Sequence, residues 1–187
     1  MEDLAQLIEK LELEKNIHLN DIPDIDLYMD QVIQLFEKTF TSSKRNEEDK
    51  ILTKTMINNY AKGKLFFSVK NKKYSKEHII IISLIYQLKG ALSISDIKSI
   101  LTRVNEKTVM KDFDLEQFYE SYLNLYGKNI EFFKEDLKER ASNVQAEIAQ
   151  SEGTDADYLE KVLLTASLVN ISNFYRKAAE NLVDTLK

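Results

Sequence analysis

The sequence predicts a mostly α-helical fold, and three observations carry that expectation. Glycine occurs four times and proline once in 187 residues, too little turn chemistry for a many-stranded sandwich or barrel. Apolar residues recur at i, i+3, i+4 and i+7 along most of the chain, the spacing that gathers them on one face of a helix. Ser, Thr and Asp stand just ahead of several of these runs, where a side-chain oxygen can accept from the orphan amides of a first helical turn. With 43% hydrophobic and 30% charged residues, the chain has the apolar content for a genuine core.

Residues 2–14 read as a short amphipathic helix on Leu4, Leu7, Ile8 and Leu11, which needs something to dock on. Asn16 to Pro23 reads as a loop. Asp24 or Asp26 is placed to cap a second helix to about Phe40, with Leu27, Tyr28, Val32, Leu35, Phe36 and Phe40 as its apolar side. Thr41 to Asp49 is polar and connects it to Thr53, the next N-cap candidate. A short basic helix follows from Lys54 to Lys62, with Gly63 as its left-handed C-cap because glycine has no Cβ to clash there. Lys64 to Lys73 mixes Leu65, Phe66, Phe67 and Val69 with four lysines and Asn71, a composition suited to an extended excursion or small hairpin.

Ser75 caps a helix through Lys89 that is apolar nearly all round at Ile79–Ile82, Leu84, Ile85 and Leu88, so it belongs in the centre of its domain. Gly90 ends it. Ser93 with Asp96 forms a capping box that starts a helix through Leu101 or Arg103. From Asp114, the series Leu115, Phe118, Tyr119, Tyr122, Leu123, Tyr126, Ile130, Phe133 and Leu137 holds the helical period. It reads as one long helix, or as two broken near Gly127, where a mid-helix glycine costs about 1 kcal/mol relative to alanine. Gly153 ends that run, and Thr154 with Asp157 starts a final helix on Leu159, Val162, Leu163, Ala166, Val169 and Phe174 to Leu186.

Composition excludes several kinds of chemistry. With no cysteine there is no disulfide, thiol nucleophile or thiolate metal site, and the two histidines lie 60 positions apart at His18 and His78. Neither is preceded by Glu-x-x, the positions three before being Lys15 and Ser75, and no phosphate-loop or Gly-x-Ser-x-Gly pattern occurs. The expectation is a protein that is not an enzyme and has no metal or other cofactor, with His78 as a packing or capping residue. The start Met-Glu-Asp has no basic leader region, and the most apolar stretch, Ile79–Tyr86, falls far short of the ~18 residues that span a bilayer. A cytoplasmic protein without a membrane partner is expected.

Charge is unevenly spread. Residues 1–49 carry 13 acids and 5 bases, whereas residues 50–76 hold eight lysines (50, 54, 62, 64, 70, 72, 73 and 76) and no acid. A solvated face gains nothing from excluding carboxylates, but a phosphate-binding surface must exclude them to keep its positive potential. The order within and after this window is a short basic helix, a lysine-rich wing, a buried helix and a further capped helix, the order of a winged helix-turn-helix. On the short helix Lys54, Thr55, Asn58, Asn59 and Lys62 are placed to face a DNA groove, with Met56, Ile57 and Tyr60 inward. Lys64, Lys70, Lys72, Lys73 and Tyr74 are placed along the wing on phosphates.

The run Thr55-Met56-Ile57-Asn58-Asn59-Tyr60-Ala61-Lys62-Gly63-Lys64-Leu65 resembles the winged-helix core of MerR-type transcriptional regulators. So do Lys72-Lys73-Tyr74-Ser75, Gly90-Ala91-Leu92-Ser93-Ile94 and Ile97-Lys98. In place of the arginine and paired aromatics that those regulators carry after the threonine, this chain has Ile57, Asn58 and Asn59. Residues 22–103, on Leu52–Tyr60, Lys73-Tyr74, His78-Ile79 and Tyr28-Met29-Asp30-Gln31, are similar to an uncharacterised family of low-GC Gram-positive bacteria, domain of unknown function eighteen thirty-six. The resemblance implies a DNA-binding transcriptional regulator: residues 1–21 as N-terminal helix and loop, 22–103 as a MerR-like winged helix-turn-helix domain, and 104–187 as a long C-terminal helical hairpin. Two antiparallel helices cannot cover their own wide apolar faces and must pack on the first domain, on another copy, or on both. MerR-type regulators dimerise through a helix after the winged domain, so the resemblance implies a homodimer through the C-terminal helices. The competing reading is a helical protein–protein interaction module whose basic patch meets an acidic protein partner. No effector ligand is specified.

Overall fold

The computed structural model describes residues 4–149 and 155–186. Among them it is mostly helical, with seven α-helices and one two-stranded sheet: α1 (Leu4–Lys10), β1 (Leu27–Tyr28), α2 (Met29–Phe40), α3 (Lys54–Gly63), β2 (Lys73–Tyr74), α4 (Lys76–Leu88), α5 (Ile94–Met110), α6 (Leu115–Ile148) and α7 (Ala156–Asp184). No helix among the described residues is long and apolar enough to cross a membrane. The chain forms two compact units, one from the described residues of Met1–Glu14 and Leu125–Ala179, the other from those of Lys15–Asn124 and Glu180–Lys187.

The larger unit is organised around α4. Its residues Ile79–Ile82, Leu84 and Ile85 are buried on every side, as the all-round apolar pattern predicts, and each such side chain contributes about 1.5–3 kcal/mol. Helix α2 buries Val32, Phe36 and Phe40, and the rings of Phe36 and Phe40 meet Tyr86 of α4 at centroid distances of 5.7 and 4.5 Å. Tyr119, near the start of α6, is fully buried, and its hydroxyl donates to the Ile17 carbonyl at 2.7 Å.

Several expectations hold and several need correction. Thr53 accepts from the Met56 amide at 3.1 Å, Ser93 from the Asp96 amide at 3.1 Å, and His78 caps the start of α4. Asp24 and Asp26 do not cap α2. That helix starts later, at Met29, because Leu27–Tyr28 is drawn into an antiparallel pair with Lys73–Tyr74; the Tyr28 amide donates to Gln31 Oε1 at 2.8 Å, so Gln31 is the capping group. Gly63 is not left-handed. It is the last helical residue, and Lys64 takes the left-handed position with φ 57°. A Cβ on residue 63 would stand 2.7 Å from the buried Leu65 Cδ1, so the glycine serves a close approach instead. α5 runs past Leu101 and Arg103 to Met110, because the next inward position, Asn105, is polar and hides the apolar period.

Helix α6 is one 34-residue helix, unbroken at Gly127, and its residues from Leu125 onward belong to the smaller unit. Leu137, Ala141, Val144 and Ile148 of α6 pack with Leu164 of α7, and Leu4 and Ile8 of α1 complete this small core. Helix α1 ends at Lys10, short of residue 14, with Glu12 left-handed at φ 46° just beyond it. Gly153 and the Thr154 cap lie outside the described residues.

Candidate nucleic-acid interface

Helix α3 divides cleanly into an inner and an outer face. Ile57 and Tyr60 are buried and Met56 is half-buried, while Lys54, Thr55, Asn58, Asn59 and Lys62 are exposed, at the i, i+1, i+4, i+5, i+8 spacing of one stripe. The first turn contains no acid, so the positive end of the helix dipole stands beside Lys54. Lys64 follows, exposed at the left-handed turn.

The excursion from Leu65 is anchored inward before it emerges. Leu65 and Phe66 are buried, and Asn105 Nδ2 donates to the Leu65 carbonyl at 2.9 Å, fastening the segment to α5. At its far end a tight turn has both central residues left-handed, Asn71 at φ 50° and Lys72 at φ 59°, and the Lys73 amide donates to the Lys70 carbonyl at 2.9 Å. This is the backbone pattern of a type I′ hairpin, which asparagine tolerates better than most residues. Lys70, Asn71 and Lys72 are exposed at the tip, and Lys73 opens β2.

The start of α2 joins the two parts. Lys54 Nζ of α3 lies 2.7 Å from Asp30 Oδ1, and Lys73 Nζ of the hairpin sits 5.2 Å above the ring of Tyr28, two residues earlier. The outer face of α3 and the base of the hairpin therefore flank the same helix N-terminus. The ion pair is a surface one, with both side chains about two-thirds exposed, and contributes at most about 1 kcal/mol. It brings one carboxylate into a region that is acid-free in sequence.

One expected contact residue, and one further lysine of the acid-free window, lie away from the surface patch. Tyr74 is buried, edge-on to the rings of Phe66 and His78, and burial pushes its phenol pKa up; it supports the hairpin from below and does not line the surface. Lys76 pairs with Glu116 at 2.8 Å, and that bond with the nearby Asp24 and Glu77 holds its pKa up, so the eighth lysine of the window is neutralised away from the patch. Three contributors were not anticipated: Tyr28, more than half exposed beneath Lys73; Asn71 at the tip; and the buried Asn105. Only Asn71 had a local signal, as the one turn-former within a lysine run.

His78 stands at the third position of α4, and its Nδ1 accepts from the Ser75 amide at 3.1 Å, the part played by Glu or Gln in a capping box. Its ring packs on Phe67 at 4.1 Å and is edge-on to Phe66. Burial holds its pKa below the usual imidazole range, outweighing the opposite pull of the Phe67 carbonyl, Glu77, Asp26 and the Ser68 carbonyl. In the unfolded chain histidine takes up its proton near pH ~6.5, so the unfolded state binds more protons below that pH and stability falls as the solution is acidified. Thermal melts at pH 7.5 and 5.5 are expected to show this loss, and His78→Gln, which keeps the cap and cannot titrate, is expected to shrink it. An unchanged pH dependence in His78→Gln would assign the acid sensitivity to other groups.

Among the described residues no cluster of three or more His, Asp or Glu is arranged to hold a metal ion. A family model described as Domain of unknown function (DUF1836) matches residues 17–122, more than half of the chain. No curated protein and no solved structure matches.

Proposed function

We propose that this chain, which belongs to the DUF1836 family, is a duplex-DNA-binding transcriptional regulator with a MerR-like winged helix-turn-helix core, and not an enzyme. The observation that carries the reading is the exposed stripe of α3 and the lysine-tipped hairpin, hung together on the N-terminus of α2. A ten-residue helix is short enough to enter a major groove end-on, and Asn58 and Asn59 offer the amide pair that matches adenine N6 and N7. Lys54, Thr55 and Lys62 share that stripe. Lys64, Lys70, Lys72 and Lys73 contribute phosphate contacts, which position the protein without reading sequence.

The two kinds of contact separate experimentally. Anisotropy against a pool of genomic duplex fragments at two salt concentrations is expected to reveal selective, salt-sensitive binding. Lys72→Gly removes one cation at a left-handed position that glycine occupies without strain, so melting temperature is expected to hold or rise. Its affinity is expected to fall similarly for all fragments, with a salt slope reduced by about 1. Asn58→Ala is expected to cost about 1–3 kcal/mol on preferred fragments and to relax the preference. Wild-type binding no better to any duplex than to an acidic control polymer would overturn the DNA reading in favour of an acidic protein partner.

A further inference from the structure

We propose that the groove between the root of the hairpin and α5 binds a small aromatic carboxylic acid that carries a ring N–H. The inference stands on this groove and not on DNA binding. The groove has a volume of about 590 Å³, within the usual size of small-molecule sites. Phe66, Phe67 and Val69 supply its apolar lining, the first buried and the other two half-buried. Helix α5 contributes Lys98, Asn105 and Glu106, which share one side of the helix at i, i+7 and i+8, and Lys64 adds a second cation just beyond α3.

Asn105 fixes what the ligand has to donate. Its Nδ2 uses both hydrogens, on the carbonyls of Leu65 and Leu101, each at 2.9 Å. The amide cannot be turned round, because its oxygen would then face two carbonyl oxygens. Oδ1 is left buried with no partner, a state that favours any donor able to reach it. The side chain is nine-tenths buried, so the edge of a flat ring, admitted by a small shift of the lining, is the shape that brings an N–H to it. Charge sets the other end of the ligand. Two lysines against one carboxylate make the groove net positive, which selects an anion. Glu106 adjoins Asn105 and repels a carboxylate from that end, whereas Lys98 stands about 10 Å back along α5, within reach of an acid held on the far side of the ring.

Indole-3-acetate has these three parts and is the probe. Amide correlation spectra of the full chain are expected to shift at the Asn105 side chain and along Leu65–Val69, with a Kd of about 1 mM for a ligand of about 13 non-hydrogen atoms. 1-Methylindole-3-acetate, which keeps the ring and the acid but not the N–H, is expected to bind about tenfold more weakly. Lys98→Glu, at an exposed position, is expected to weaken indole-3-acetate several-fold and to leave 3-methylindole, which has no carboxylate, unaffected. No shift in this segment at a concentration of about 5 mM, well above that Kd, would overturn the inference. Equal binding of the N-methylated acid, or undiminished binding of indole-3-acetate by Lys98→Glu, would overturn it as well.

Discussion

Phe36→Ala is expected to lower the free energy of unfolding by about 3–5 kcal/mol, the range for truncating an aromatic ring in a closed core. Phe36 is fully buried, edge-on to Tyr86 at 5.7 Å and tilted against Phe40 at 6.0 Å. The hole left behind is bounded by two rigid rings that cannot collapse into it. Helix α2 carries Asp30 and begins where Tyr28 ends, so loosening it also withdraws the supports of Lys54 and Lys73. DNA affinity is therefore expected to fall together with the folded fraction, in contrast to Lys72→Gly, where affinity falls while the melting temperature holds or rises. Urea unfolding followed by circular dichroism measures the first effect. A midpoint equal to that of wild type would show that α2 is not held through Phe36.

Tyr119→Ala is expected to cost a similar 3–5 kcal/mol, and Tyr119→Phe about 1–3 kcal/mol, because the two changes remove different things. Alanine removes the buried ring, which stacks on Tyr122 at 5.8 Å; phenylalanine removes only the hydroxyl that satisfies the Ile17 carbonyl across 102 residues of chain. Burial pushes the Tyr119 phenol up to about 12, against the smaller opposing pull of Ser83. The unfolded phenol titrates near pH ~10, so between that pH and 12 the folded state holds a proton that the unfolded state has released, and stability is lost as pH rises. Tyr119→Phe is expected to reduce this alkaline loss without abolishing it, since Tyr60, Tyr74 and Tyr126 are also raised by burial. Denaturation midpoints at neutral pH and above pH 10 for wild type and Tyr119→Phe provide the check. An alkaline slope identical in both would remove Tyr119 from the account.

The helical plan was legible because its causes are local. Thr53, Ser75 and Ser93 precede the helices they start, and the apolar run of α4 has no polar face to turn toward water. The exposed stripe of α3 followed from the same period, since burial of Ile57 and Tyr60 leaves Lys54, Asn58 and Lys62 outward. The hairpin was legible as a kind of segment but not in its detail. Nothing near Lys64 or Lys72 in the sequence marks these lysines, ahead of Gly63, as the left-handed residues. In the fold the helix runs through Gly63, with Leu65 packed close over it, and Lys64 takes the left-handed turn.

Composition and periodicity alone determined that the chain is helical, where most helices begin, and that one stretch of it is basic. Tertiary structure decided which of those lysines act together. Lys54 meets Asp30 across 24 positions, Lys76 meets Glu116 across 40, Lys73 covers Tyr28, and Tyr74 turns inward beneath them. A cap or a helical face is set by neighbours three or four residues away, which a linear reading contains. An electrostatic surface is set by whatever the fold brings within a few ångströms, and over tens of residues the linear order of charges does not record it.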